Sequence, residues 1–297
     1  MMDPYEELVA RVVAARGVTM LVGGLDSGKS TLARRIASAG VEAGLTAGIL
    51  DADIGQSTVG PPTTVGLRLC RSEAELQSDA LARADHLAFV GSTSPQGHLL
   101  PLVVGSRLLL DWALAEGADL VVVDTTGLVS GVYGQLLKFN KVGVLRPDFL
   151  VGLRRGEELE PLLGVVRRFY PTEVISVDVH PSVEATSVEK RATNRERALE
   201  RYLAEPLQRW RVKPTVFVPA LPALFDLSAL DHILVGLSDG EGRCTGIGYL
   251  EYLAGDGALR LHAPVAEAPK ALILGSVRLE DGFRARRVDL RNLFGSD

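Results

Sequence analysis

Residues 23–30, GGLDSGKS, carry the spacing G-x-x-x-x-G-K-[ST] between a strand-like apolar run and a helix-like segment. Each residue type meets one chemical need. The glycines let consecutive backbone N–H groups curl round a β-phosphate, and a helix N-terminus behind them adds partial positive charge. Lys29 then reaches the β and γ oxygens, and the Ser30 hydroxyl can ligate Mg2+. The stretch predicts a nucleoside triphosphate held by Gly23, Gly24, Asp26, Ser27, Gly28, Lys29, Ser30 and Thr31. A glycine-rich turn with an incidental lysine is the weaker alternative. The base is left open: NKVG at 140–143 begins like the guanine-reading N-K-x-D but has Gly143 where the aspartate belongs.

A second stretch, LDADIGQSTVGPP, sets Asp51 and Asp53 at the C-terminal end of a strand, where a parallel α/β sheet presents its ligands. One such carboxylate can hold the metal through water. Two of them, followed by Gly55, Gln56 and the stiff Pro61-Pro62 turn, suggest a loop shaped for a second substrate. Phosphoryl transfer asks little covalent chemistry of a protein, so an aspartate that orients or deprotonates the attacking hydroxyl is a natural role. A strand-end acid capping the next turn is the plainer alternative. Arg191 and Arg195, four residues apart on a helical stretch, would align two guanidinium groups on one face, as clamping a phosphoryl group requires. The competing reading of that face is solvation, with Glu196 and Glu200 as ion-pair partners.

Such groups need a layered scaffold, and the first two-thirds of the chain alternates strand-length apolar runs with amphipathic segments. Strands are predicted at 18–24, 46–53, 86–92, 119–126, 149–155 and 173–179, with helices between them, notably KSTLARRIASAGVEAG and LLPLVVGSRLLLDWALAEG. After Trp210 the texture turns to short β-rich runs separated by Gly and Asp: TVFVPAL, HILVGLSD, RCTGIGYLEYL, ALRLHAPV, ALILGSVRL and FRARRVDL. The fold class expected is α/β, a P-loop NTPase with a mostly parallel sheet flanked by helices, plus a small C-terminal β-rich domain. The expected divisions are a short N-terminal segment at 1–17, the nucleotide-binding domain at 18–212 and the β-rich domain at 213–297.

Composition narrows the partners. With 297 residues and 46% hydrophobic content, the chain can bury a sizeable core. Lys and Arg total 32 against 37 Asp and Glu, so any contact with nucleic acid must be local. Cys70 and Cys244 lack a C-x-x-C partner, which suits a reducing compartment and argues against zinc. The N-terminus has no basic region followed by an apolar run, and Gly105, Arg107 and Asp111 break the longest apolar stretch. Neither a signal peptide nor a membrane span is expected, and cytoplasm is the default. The five histidines have no metal-binding spacing; His98 is read as structural and Trp112 as core. Trp210 and Tyr202, interleaved with Arg197, Arg201, Arg209 and Arg211, could form a basic and aromatic platform for a single strand or a solvated face.

The phosphate motif, DADIGQ, GSTSP (91–95), DTTGLVSGVYGQLLK (124–138), LRPDFLVGL (145–153) and KRATNRERALERY (190–202) together resemble polynucleotide 5′-hydroxyl kinases of the Clp/Grc type. The most specific element is D-x-D-x-G-Q. The resemblance runs over residue 18 to about 212 and implies ATP and Mg2+ as cofactors, with 5′-OH ends of single-stranded RNA or DNA as partners. It implies that Asp53 is the acid beside the acceptor hydroxyl and, with Ser30, a metal ligand. Asp51 and Gln56 would support the substrate loop, and Thr125, Thr126 and Gly127 would match a T-x-G clasp over the phosphates. Leu128 stands where many eukaryotic members have tryptophan. Arg191 and Arg195 would match an R-x-x-x-R lid within about 187–205. A silent ATP-binding scaffold of an RNA-processing assembly and a regulatory GTPase are the rivals. An intact acidic motif and lid disfavour the first, and Gly143 disfavours the second.

Overall fold

The computed structural model describes residues 4–204 and 206–294. The first three residues of the N-terminal segment, Glu205 at the end of the expected lid and the last three residues lie outside the described residues. Five apolar runs pair in parallel in the order β2 (Ala47–Ala52), β5 (Leu120–Thr125), β1 (Gly17–Gly23), β6 (Phe149–Arg154) and β7 (Glu173–Asp178). Helices cover both faces, so β2 and β5 are buried along their whole length and read as unbroken hydrophobic runs. On one face α1 (Pro4–Ala15) and α2 (Lys29–Glu42) bury Leu8, Val12, Leu32 and Ile36 against Leu21, Val122 and Val151. On the other, α4 (Leu99–Ala115), α5 (Gly131–Leu145) and α6 (Glu160–Phe169) bury Leu109, Leu137 and Leu163 against Met20, Leu50 and Val123. The short N-terminal segment is thus largely a helix that packs on the sheet.

The sheet is less uniformly parallel than expected. The run TVGLRLC, outside the predicted strands, forms β3 (Thr64–Cys70) and lies antiparallel to β2, with Ile49 opposite Arg68. After the short helix α3 (Ser78–Leu81), β4 (His86–Phe89) returns antiparallel to β3. The Pro61-Pro62 turn reverses the chain after the acidic loop, which permits this hairpin-like return without a crossover helix.

After α7 (Val188–Tyr202), the remaining strands extend the same sheet. They are β8 (Gln208–Val212), β9 (Phe217–Val218), β10 (Ile233–Ser238), β11 (Cys244–Leu253), β12 (Ala258–Ala263), β13 (Ala271–Glu280) and β14 (Arg284–Arg287), followed by α8 (Leu290–Phe294). β11 joins the nucleotide-binding part through Cys244 opposite Leu87 of β4, so hydrogen bonding continues between the two parts. β8 precedes the boundary expected at 212 but pairs antiparallel with β12, setting Trp210 opposite Leu261. Trp210 packs against the tail's own core, and the Tyr202 hydroxyl accepts from the Ile247 N–H at 3.4 Å. These contacts replace the platform suggested for the pair. TVFVPAL contributes only the two residues of β9 as strand, and FRARRVDL only the four of β14. Trp112 is half-buried on the main core, with its ring against His86 at 4.8 Å.

Candidate active site

The phosphate loop is built by close approach. A Cβ on Gly23 would stand 2.5 Å from Ser27 Oγ and 2.8 Å from Leu153 O, and Gly28 opens the helix at φ +86°, where side chains rarely go. Asp26 also takes a positive φ of 50°. Arg155, just beyond β6, holds the loop from outside by donating to Leu25 O at 2.9 Å and to Asp26 O at 2.5 Å. Lys29 begins α2 and turns its ammonium back into the loop, donating to Gly23 O at 3.0 Å, Gly24 O at 2.7 Å and Ser27 Oγ at 3.3 Å. Burial pushes its pKa down against the pull of Asp124, Asp53 and Asp26. The loop's own acceptors therefore hold a buried cation at the place where a phosphate would take it over.

Two buried acids stand side by side across the parallel pair, Asp51 on β2 in register with Asp124 on β5. Asp124 accepts from the Ser30 hydroxyl at 2.5 Å, while its Oδ1 is buried with no partner. Sequence alone gives this aspartate of the DTTG stretch no separate role; its strand-end position is the available signal. Burial first, then the charges of Asp124 and Asp53, push the Asp51 carboxyl up to about 7. Asp51, expected among substrate-binding groups, spends both oxygens within its own loop. It accepts from Asp53 N, Thr58 N, Thr58 Oγ1 and Val59 N. Asp53 is more open. Its Oδ1 accepts from Gly55 N at 3.1 Å and Gln56 N at 3.2 Å, and its charge is felt by Lys29, Lys138, Lys141 and Arg195. A Cβ on Gly55 would meet Thr93 O at 2.9 Å, so the GSTSP stretch backs this loop. Ser30, Asp124 and Asp53 offer the hard oxygen donors that a magnesium ion takes.

The T-x-G stretch is pinned from beneath. Thr125 is buried and donates to Leu21 O at 2.7 Å, and Lys138 on α5 donates to Thr125 Oγ1, Thr126 O and Thr126 Oγ1 at 2.8, 2.6 and 3.2 Å. A Cβ on Gly127 would stand 2.8 Å from Leu25 N, so only glycine lets this turn lie on the phosphate loop. Thr125 and Thr126, expected to touch substrate, thus give their hydroxyls to the fold. Lys138 and Lys141 lie one turn apart, both fully buried, and the Lys141 ammonium has no hydrogen-bond partner. Neither is foreseen from sequence, because lysines on an amphipathic helix ordinarily face solvent.

Helix α7, expected as the lid, is capped by Ser187, whose hydroxyl accepts from Lys190 N at 3.1 Å. Arg191 pairs with Asp26 of the phosphate loop at 2.9 Å, and the same carboxylate oxygen accepts from Thr186 N. Its partner is therefore neither Glu196 nor Glu200. Gln56, expected to face substrate, donates instead to Arg191 O at 3.0 Å and ties the acidic loop to the lid. Arg195 is half-buried, its pKa lowered by burial against the pull of Glu196. It lines a cleft of about 740 Å3 together with Gly55, Gln56, Ser57 and Pro62. Phosphate loop, acidic loop and lid therefore meet at one place.

The family model described as mRNA cleavage and polyadenylation factor CLP1 P-loop matches residues 23–205. The chain belongs to this family. Among curated proteins it is similar to a polyribonucleotide 5′-hydroxyl-kinase of Thermococcus kodakarensis, 29% identical over 84% of this chain and 83% of the relative. It is also similar to one of Methanocaldococcus jannaschii, 27% identical over 88% and 87%. Among solved structures, Clp1p in its complex with Pcf11p superposes with a TM-score of 0.73 at 12% identity, covering 92% of this chain and 77% of that one.

Proposed function

We propose that the chain is an ATP-dependent polynucleotide 5′-hydroxyl kinase, which moves the γ-phosphoryl group to the 5′-OH end of single-stranded RNA or DNA. The observation that carries this reading is the joining of three motifs at one point. Gln56 of D-x-D-x-G-Q holds the lid backbone, and the lid's Arg191 holds Asp26 of the phosphate loop. An acid, a phosphate cradle and an arginine pair in contact are what transfer from nucleotide to hydroxyl needs. The activity for which the curated relatives are named supports it.

In this reading Lys29 exchanges the neutral carbonyls of Gly23 and Gly24 for the β and γ oxygens of ATP. Asp53 accepts the proton of the terminal hydroxyl as that oxygen bonds to the γ-phosphorus. The bond to the bridging oxygen breaks, and ADP leaves with its electron pair. Arg191 and Arg195 absorb charge on the group in flight. Ser30, Asp124 and Asp53 would hold Mg2+, and the unpartnered Oδ1 of Asp124 fits such an ion. When bound, the metal supplies neutralisation of phosphate charge. An apolar hollow of about 440 Å3 lined by Tyr5, Leu32 and Val183 adjoins Gly28 and Thr31 and suits the nucleotide base. Asp51, Thr125, Thr126 and Gly127 act on substrate through the loops they shape.

Incubation with γ-labelled ATP and matched RNA and DNA oligomers, each bearing either a 5′-OH or a 5′-phosphate, tests the reading. Label is expected on 5′-OH strands alone. ATP binding without transfer to any strand would instead identify a scaffold.

A further inference from the structure

The cleft beside the lid does not end at Arg195. A second hollow of about 650 Å3 shares Ser57, Thr58, Ala198 and Arg201 with it, and continues to Arg34 on α2 and to Arg83 after α3. Several arginines elsewhere are neutralised locally, as in Arg11–Glu173, Arg68–Asp85, Arg107–Asp111 and Arg167–Glu160, while single ones such as Arg71 and Arg146 are not among the described residues. What sets the trough apart is four of them along one hollow. Along this trough Arg34, Arg83, Arg197 and Arg201 have no carboxylate within ion-pair reach among the described residues. Arg34 further buries its Nε without an acceptor. The acids lining the two hollows are Glu200 and Asp79.

Arg197 and Arg201 stand four apart on α7, a like-charge spacing that costs helix stability unless an anion answers it. In a chain of net charge −5, such a row concentrates positive potential where the rest of the surface repels a polyanion. We infer that this trough holds the backbone phosphates of the nucleotides downstream of the reacting 5′ end, with Arg34, Arg83, Arg197 and Arg201 as the phosphate donors. The inference rests on the kinase reading and adds a second, non-reacting subsite to it. The partner is a single strand followed along its sugar-phosphate backbone, because guanidinium forks match phosphate and read no base there.

The test compares the wild type with the exposed-site variants Arg83→Gln and Arg201→Gln, and with both changes combined. Substrates are a 5′-OH dinucleotide and a strand of about ten nucleotides, as RNA and as DNA. The double variant should raise KM for the long strand about tenfold and leave transfer to the dinucleotide unchanged. The slope of its strand binding against salt should become shallower by about 0.7 for each phosphate that is no longer neutralised. Equal effects on both lengths, or none on either, would overturn the inference. Equilibrium binding of the long strand, read by fluorescence anisotropy, separates the two failures. Wild-type binding that the double variant weakens, without transfer by either protein, refutes the kinase reading and retains the trough. Transfer with variant-insensitive binding refutes the trough alone. An RNA-only effect would mean that contacts to the 2′-OH, and not the shared phosphates, fix the strand, and this too would overturn it.

Discussion

Lys141 carries the sharpest unmet demand of any single residue near the site. Its ammonium is fully buried without an acceptor, and burial pushes its pKa down to about 7 despite Asp53, Asp51 and Asp124. Unfolding returns it to its ordinary 10.5, so between about 7 and 10.5 the unfolded chain binds the extra proton. Stability from this group therefore rises with pH across that window, and the penalty is full below it. Lys141→Met keeps an unbranched side chain only one atom shorter and removes the charge. The variant should be more stable near pH 7 and should lose that rise, as denaturant unfolding at stepped pH would measure. A variant with the wild-type slope would contradict the assignment. Lys138 is the opposite case, since its three acceptors on Thr125 and Thr126 make it a tie for the strand end beside Asp124.

At the scale of elements, the lid helix is held at both ends by different means. Leu199 and Leu203 sit in a cluster with Leu234, Ile247 and Val277 of the tail, while Arg191 and Gln56 close the other end on the two loops. The two arginines should therefore separate kinetically. Arg195 makes no ion pair among the described residues, so Arg195→Ala should lower kcat and leave ATP affinity nearly unchanged, as for contacts realised during transfer. Arg191→Ala also frees Asp26 in the phosphate loop and should weaken ATP binding as well. Arginines of this kind contribute about 10³ to 10⁵ in rate, against about 0.2 to 1 kcal/mol for an exposed salt bridge. Lysine should restore either position only in part, because an ammonium lacks the planar fork. Single-turnover transfer and ATP titration of each variant would decide, and two variants within about threefold of wild type in rate would reduce the helix to a solvated face.

Across the whole molecule, what chemistry demands is legible in the sequence and what packing decides is not. The phosphate loop and D-x-D-x-G-Q can be read because few residue types serve their purpose at that spacing. The parallel strands are legible as unbroken apolar runs. β3 escapes because alternation with helices is the expectation, and only the turn after Pro62 reverses it. β8 escapes because its partly exposed QRWRV reads as polar, and its pairing with β12 comes from a partner some fifty residues on. Asp51, Gln56, Thr125 and Thr126 lie where the motifs meet, yet their side chains bond to the loops, the lid and the strand ends. Sequence spacing cannot say which way a group at a strand end turns.

The central claim is that Asp53 sits where an acceptor hydroxyl meets the nucleotide. Its carboxylate is the open one of the strand-end acids, half-buried and held at one oxygen by Gly55 N and Gln56 N. Asparagine is nearly the same shape but cannot take the proton. Single-turnover transfer to a 5′-OH oligomer at saturating ATP, by wild type and Asp53→Asn, measures this directly. Retained ATP binding with a rate lower by about 10² to 10⁴ is the result expected. A folded Asp53→Asn protein that transfers phosphate within about threefold of the wild-type rate would contradict it.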